Sequence, residues 1–240
     1  MNKKVIYTSL VGEYDVLPEP SFVMKDWDYI CFSNDYKKKD SIWKIESIPY
    51  QSKNKWILSR YPKLLPHRVL KEYKYSLYID ANIEILDSHI EDRIDELIEN
   101  QHLISLIPHP FRDCIYKEAQ ACIELGLDKR RIIEKQIAFL NTEKYPANNG
   151  LFENGLIFRC HNNSEIASLD EEWWNLYLKY SKRDQLSLCF LLWKYNIYCE
   201  PFTSVGLSVR NIPSINYSFH KNSLIRRTKI YIQKHLNKYF

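Results

Sequence analysis

Tyr75-Ser-Leu-Tyr-Ile-Asp80-Ala-Asn82-Ile-Glu84 is the stretch on which the reading of this chain turns. Its first five residues are of strand-forming type, and they run straight into two short oxygen-bearing side chains one residue apart. In an open α/β sheet, ligands sit beyond the carboxyl ends of the strands. Asp80 and Asn82 are therefore candidate ligands for a divalent metal and the diphosphate it carries. Asp and Asn also end strands simply by making turns. The neighbouring segments weigh towards a site: a basic stretch upstream, His-Pro and Glu-Asn-Gly downstream, then Arg-Asp-Gln and a late His.

Working outward, Lys4-Val-Ile-Tyr-Thr-Ser-Leu, Asp28-Tyr-Ile-Cys-Phe-Ser33 and Trp43-Lys-Ile-Glu-Ser-Ile read as strands upstream of this one. The region 55–73 reads as helical, broken near Pro62 and Pro66. Residues 88–101 form an amphipathic helix with Ser88 as its cap and Ile90, Ile94, Leu97 and Ile98 on one face. Leu103 to Ile107 is a strand, 113–126 and 129–141 are helices, and Leu156 to Cys160 is a strand. Helices at 168–180 and 185–195 and a short strand at 197–200 follow. Alternation of strand and helix predicts an α/β sheet with helices on its faces. The expected organisation is one domain, 1–223, and a basic amphipathic tail, 224–240.

Composition narrows the chemistry. The chain has 240 residues and only 5 glycines, with no G-x-G-x-x-G or Walker pattern, so a nucleotide has to be held by side chains, a metal and ordinary loops. Six cysteines form no C-x-x-C and mostly adjoin apolar residues, as buried thiols of a reducing compartment do. The first residues lack a signal-peptide apolar core, and no run reaches the ~18 apolar residues of a membrane span. These features predict a cytoplasmic protein. The net charge is +4, but Arg226, Arg227, Lys229, Lys234 and Lys238 all lie in the tail, where there is no acid. A body without excess positive charge argues against nucleic-acid binding.

Polar groups collect at the strand ends: Thr8-Ser9, Ser33-Asn34-Asp35, Asp80-Ala-Asn82 and Pro108-His109. Together they predict one crevice, although each alone suits a turn. Arg60 and Lys63, three apart on a helix, share a face and are candidate phosphate ligands. His109 is placed to donate to a developing anion or a sugar hydroxyl. Glu153 and Asn154 lie in a polar loop whose carboxylate and amide suit sugar recognition. Asp184, in Arg183-Asp-Gln185, either caps the following helix or points its carboxylate into the crevice. His220 is a candidate third metal ligand beside Asp80 and Asn82.

In this order and spacing the segments resemble a GT-A-type glycosyltransferase. More narrowly they resemble the DUF616, or TOD1-like, glycosyltransferase-like family. The matching pieces are Tyr7-Thr-Ser-Leu-Val-Gly-Glu-Tyr-Asp15, Asp28-Tyr-Ile-Cys-Phe-Ser-Asn34-Asp35, Arg60-Tyr-Pro-Lys63, Tyr78-Ile-Asp80-Ala-Asn82, His109-Pro-Phe-Arg112-Asp113, Glu153-Asn154-Gly155 and Arg183-Asp184-Gln185. The resemblance implies a GT-A-like, Rossmann-related mixed sheet flanked by helices. It also implies a nucleotide-sugar donor, Mn²⁺ or Mg²⁺, and transfer to an acceptor hydroxyl.

On that footing Thr8, Ser9, Tyr14 and Asp35 line the nucleoside pocket, and Arg60 and Lys63 face the diphosphate. Asp80 and Asn82 stand at an Asp-x-Asp-like metal site. Glu153, Asn154, Asp184 and Gln185 surround the transferred sugar and the acceptor. Asn82 departs from the family's second acid and brings less charge to a metal. Inversion requires a carboxylate base, for which Asp184 and Glu153 are the candidates. Retention requires none, and the resemblance leans that way.

The tail, 224–240, mixes cations with Leu, Ile, Tyr and Phe, a pattern suited to an anionic membrane surface at the inner face of a membrane. It fits a glycan or lipid-linked glycan acceptor in bacterial surface polysaccharide (capsule or O-antigen) synthesis. Two other functions compete. Asn82 motivates a non-catalytic sugar- or nucleotide-binding module, and the crevice also suits a nucleotidyl- or phosphotransferase.

Overall fold

The computed structural model describes residues 3–12 and 15–218. Tyr14, His220 and the tail at 224–240 lie outside the described residues, so the expectations placed on them are neither met nor overturned.

The first strands are β1 (Lys4–Ser9), β2 (Trp27–Phe32) and β3 (Lys44–Glu46). Helices α1 (Lys55–Leu64) and α2 (Pro66–Val69) lead to β4 (Tyr75–Ile79). Next come β5 (Ile83–Ile85), α3 (His89–Glu99), β6 (Ile104–Pro108), α4 (Ile115–Glu124) and α5 (Arg130–Thr142). The chain continues through β7 (Phe152–Arg159), α6 (Ser164–Lys179), α7 (Gln185–Lys194), β8 (Glu200–Pro201) and β9 (Ile215–Tyr217). Seven strands form one mixed sheet in the order β3-β2-β1-β4-β7-β6-β8, and β5 and β9 form a separate antiparallel pair. Only β7 runs against its neighbours in the large sheet. This is the α/β sheet flanked by helices that the alternation predicts, and it is mixed, as the resemblance implies.

Strand alternation feeds two cores. Val5 and Tyr7 of β1 face one side with Leu64, Leu65, Ile133, Trp173 and Phe190 from the helices. Ile6 faces the other with Leu77, Ile94 and Leu97. Between β7 and the helices lies a buried ionic knot. Arg159 donates to Asp170 Oδ1 at 2.8 Å, to the Tyr7 hydroxyl at 2.6 Å and to the Lys63 carbonyl at 2.5 Å.

Several boundaries differ from expectation. Pro62 does not end α1; it sits in the last turn, and the helix stops at Leu65, with Pro66 opening α2. β7 starts at Phe152 rather than Leu156, so Glu153-Asn154-Gly155 belongs to a strand. A register shift opposite Leu106 and Ile107 accommodates it. α6 starts at Ser164, where the Asn163 side chain accepts from Glu165 N and Ile166 N. Ser88 makes no side-chain cap; Asp87 Oδ1 accepts the His89 N–H at 3.0 Å.

One buried base ties this fold to pH. The His161 ring is fully buried, its Nε2 lies 2.9 Å from the Leu70 carbonyl oxygen, and burial pushes its pKa down from 6.5 to about 4. A base whose pKa falls on folding stays neutral in the fold while the unfolded chain takes up a proton. Its stabilising share is complete above pH 6.5 and is lost as pH falls towards about 4. That difference amounts to roughly 3 kcal/mol. Urea unfolding at pH 7 and at pH ~4.5 is expected to show the loss, with a smaller loss in His161→Gln. Parallel losses in both proteins would remove His161 as the source.

Candidate active site at the carboxyl edge of the sheet

Because β1, β2, β4 and β6 share one direction, their carboxyl ends open on one edge, and antiparallel β7 begins there. Asp80 is the first residue past β4. Its N–H donates to Gly155 O at 2.9 Å, and its carbonyl accepts from Ile83 N at 2.9 Å, which makes the turn. The side chain is nevertheless not consumed by that turn. Oδ1 accepts from the Tyr78 hydroxyl at 2.8 Å and lies 3.6 Å from Lys63 Nζ. Burial and the neighbouring Asp80 carboxylate hold the Tyr78 phenol well above its usual range, so it keeps its proton.

Arg60 and Lys63 do share a helix face, and both meet Asp184. Lys63 Nζ is 2.9 Å from Asp184 Oδ2, and Arg60 Nε is 3.4 Å from the same oxygen. Asp184 makes no side-chain cap on α7, so its carboxylate points inward. Burial drives this carboxyl up, but the Lys63 and Arg60 cations outweigh it and hold it far below the usual carboxylate range. The two cations differ in access. Arg60 is 32% exposed, whereas Lys63 is 2% exposed and sits over the Tyr78 ring at 4.8 Å. Lys63 thus lies beneath Asp80 and Asp184, almost closed to solvent.

Asn82 is buried. Its Nδ2 donates to the Ser218 carbonyl at 2.6 Å, while its Oδ1 has no hydrogen-bond partner among the described residues. Ser218, two positions before His220, also donates its N–H to the Asn82 carbonyl at 2.9 Å. Among the described residues no three His, Cys, Asp or Glu side chains group as metal ligands.

The β7 residues are strongly placed. Glu153 Oε2 accepts the Val209 N–H at 3.0 Å and Oε1 accepts from Arg210 at 3.2 Å. Burial still raises its pKa, against the pull of the Val209 N–H and Arg210. Asn154 is buried, and neither side-chain amide atom has a partner among the described residues. Gly155 lets Asp80 and the 208–212 segment come close, since a Cβ there would stand 3.3 Å from both Asp80 Oδ2 and a Val209 methyl. Arg210, Ser218, Val209 and Tyr78 were not legible as site residues. Val209 and Arg210 lie in an irregular segment without pattern, Ser218 follows the three-residue β9, and Tyr78 reads as ordinary strand.

The remaining candidates scatter. His109 accepts the Phe111 and Arg112 N–H groups on Nδ1 at 3.2 and 3.1 Å, and its ring is 7% exposed. Burial lowers its pKa, so it is a neutral turn lock rather than an exposed acid. Arg112 pairs with Glu118 at 2.6 Å and not with Asp113, which pairs with Lys117 and makes no cap on α4. Gln185 is committed to β7 through the Phe152 carbonyl at 3.0 Å. At the other end, Asp35 clamps the loops, accepting from Gly12 N at 2.7 Å and from Ser33 Oγ at 3.1 Å. Ser9 donates to Phe32 O, and Thr8 is fully buried with a hydroxyl that has no partner among the described residues. Asp80, Asp184, Arg60 and Lys63 therefore form one connected cluster, Glu153 to Gly155 adjoin it, and Asp35 and His109 mark its two flanks.

The profile of the TOD1/MUCI70 glycosyltransferase-like domain matches residues 5–207. The chain belongs to that family. A relative from Arabidopsis thaliana, described as the probable hexosyltransferase MUCI70, is 27% identical over 165 residues, 64% of this chain and 28% of that protein. The chain thus spans little more than a quarter of that relative's length. Among solved structures, mouse xyloside xylosyltransferase 1 in its apo form superposes with a TM-score of 0.40 at 11% identity, covering 79% of each chain. The apo structure of the bifunctional glycosyltransferase WbbM gives a TM-score of 0.43 at 9% identity, covering 97% of this chain and 44% of that one. No described helix is long and apolar enough to cross a membrane.

Proposed function

We infer that this family member is a glycosyltransferase that moves a sugar from a nucleoside-diphosphate donor to an acceptor hydroxyl, at the edge marked by Asp80. The observation that carries the reading is a pair of buried amides with atoms that have no hydrogen-bond partner among the described residues: Asn82, two residues past Asp80, and Asn154, next to the Gly155 whose carbonyl accepts the Asp80 N–H. A buried amide group without a partner costs about 1–3 kcal/mol. A site built to receive ligand oxygens and hydroxyls recovers that cost when filled.

The donor set fits a hard divalent cation, Mn²⁺ or Mg²⁺. Asp80 offers a half-exposed carboxylate and Asn82 an unpartnered amide oxygen. His220 is the proposed further ligand. Once bound, the metal supplies positive charge against the departing diphosphate. Arg60 adds a partly exposed cation on the same side, and Lys63 pairs with Asp80 and Asp184 from below. Asn154 offers a donor and an acceptor to the hydroxyls of the transferred sugar. The nucleoside takes the side of Asp35, with Thr8, Ser9 and Tyr14 around it.

The geometry favours retention. Asp184 is held by two cations and is a weak base; both Glu153 oxygens are engaged by Val209 and Arg210. Neither is free to take a proton from the acceptor, which leaves that proton to the departing phosphate. The acceptor we assign is a glycan or lipid-linked glycan of bacterial surface polysaccharide, approached at the cytoplasmic membrane face; the basic stretch 224–240 supports that context. One observation favours a non-catalytic binding module instead: Lys63, 3.6 Å from Asp80, offsets the charge a metal needs. Product mass decides between the readings. Incubation with nucleotide-sugars, Mn²⁺ and glycan acceptors is expected to give acceptor plus one sugar residue and free nucleoside diphosphate. Acceptor plus phosphate, or no product with any donor, contradicts glycosyl transfer.

A further inference from the structure

Phe111 is 84% exposed, more than any other large hydrophobic residue described. An aromatic ring in water normally folds onto the surface, because burying it gains free energy. Here the ring stays out in solvent and meets the His109 ring edge-on, with centroids 6.3 Å apart. The His109 ring, itself nearly buried, accepts the N–H groups of Phe111 and Arg112, and so pins the turn that follows β6. Arg112 is tied down in turn by Glu118, whose side chain is 4% exposed. A buried histidine and a buried glutamate thus form a built mount for one exposed ring.

The mount stands at a telling place. β6 is two strands from β4 in the sheet, on the side away from β1 and β2. At about 4.8 Å per strand this is roughly 10 Å from the edge position of Asp80. Between them begins β7 with Glu153 and Asn154. If the nucleoside lies towards Asp35 and the transferred sugar beside Asn154, the next position along the edge is that of the acceptor. The face of an aromatic ring is electronegative. A pyranose presents polarised C–H groups on one face and hydroxyls around its rim. Arg210, ion-paired with Glu153 at 3.2 Å between the 208–212 segment and β7 and itself 60% exposed, offers a polar partner for that rim.

The geometry points to Phe111 as the stacking platform of the acceptor subsite, taking the C–H face of a pyranose, with His109 as its positioning residue. The assignment rests on the glycosyl-transfer reading for the word acceptor, but sugar binding at Phe111 is testable without any transfer.

The experiment is saturation-transfer NMR on the full chain, without donor, using the methyl pyranosides of gluco, galacto, manno and xylo configuration as probes. Saturation of the ring C–H protons of at least one probe is expected in the wild type and in Phe111→Trp. In Phe111→Ala the signal is expected to fall at least five-fold, with an unchanged thermal midpoint. Equal saturation in Phe111→Ala, or none in the wild type with any probe, overturns the assignment. Failure of glycosyl transfer shows instead as absent product, whatever the NMR result.

Discussion

Replacing Asp170 with alanine is expected to cost about 3–5 kcal/mol of folding stability, the range for breaking one side of a buried ion pair. Arg159 and Asp170 are both fully buried and 2.8 Å apart. Removing the carboxylate leaves the guanidinium without an anion, deep between β7 and α6. For a domain of this size the thermal midpoint should fall by roughly 10 °C. The double replacement Arg159→Met with Asp170→Leu should recover part of the loss, because the stranded charge is gone. Recovery should stay incomplete, since the Tyr7 hydroxyl and the Lys63 carbonyl each lose the donor they had in Arg159. Urea unfolding of the three proteins measures this directly. A single mutant within about 1 kcal/mol of the wild type would contradict the reading of Arg159 as a charge that needs its partner. The knot also touches function. The carbonyl it holds belongs to Lys63, so the end of α1 that carries Arg60 and Lys63 is fixed by the same guanidinium.

How much of this was legible beforehand follows from the range of each interaction. The strands and most helices were, because their periodicity is local: Ile90, Ile94 and Leu97 face the core as expected. The strand end at Asp80 was legible for the same reason. Glu153-Asn154-Gly155 reads as a loop in the sequence because three polar or small residues look like a turn, while a bulge and a close approach to Asp80 keep them in a strand. The choice for Asp184 between capping and the crevice was open, because it depends on Lys63, distant in sequence and brought near by folding. His109 was placed at the right edge, but nothing in its neighbours announced that its ring would be spent on two backbone N–H groups. The β5 and β9 pair escaped notice because both strands are three residues long. Their importance is positional: the pairing brings Ser218 onto Asn82.

The second large effect falls on Asp80. Its carboxylate is the only described acid that is both paired with the buried Lys63 and substantially open to the crevice, at 36% exposure against 10% for Asp184. Removing a preorganised group that stabilises transition-state charge costs about 10²- to 10³-fold in kcat. Asp80→Ala is expected to reach the upper part of that range, because it removes a proposed metal ligand and the counter-charge above Lys63 together. The fold should survive, since Lys63 keeps its 2.9 Å contact with Asp184. The most direct measurement is Mn²⁺-dependent release of nucleoside diphosphate from a panel of nucleotide-sugars, run on wild type, Asp80→Ala and a metal-free control. The account predicts release from at least one donor, abolished without metal and lowered by two to three orders of magnitude in Asp80→Ala. Release at the wild-type rate in Asp80→Ala, or no release from any donor by the wild type, would contradict it.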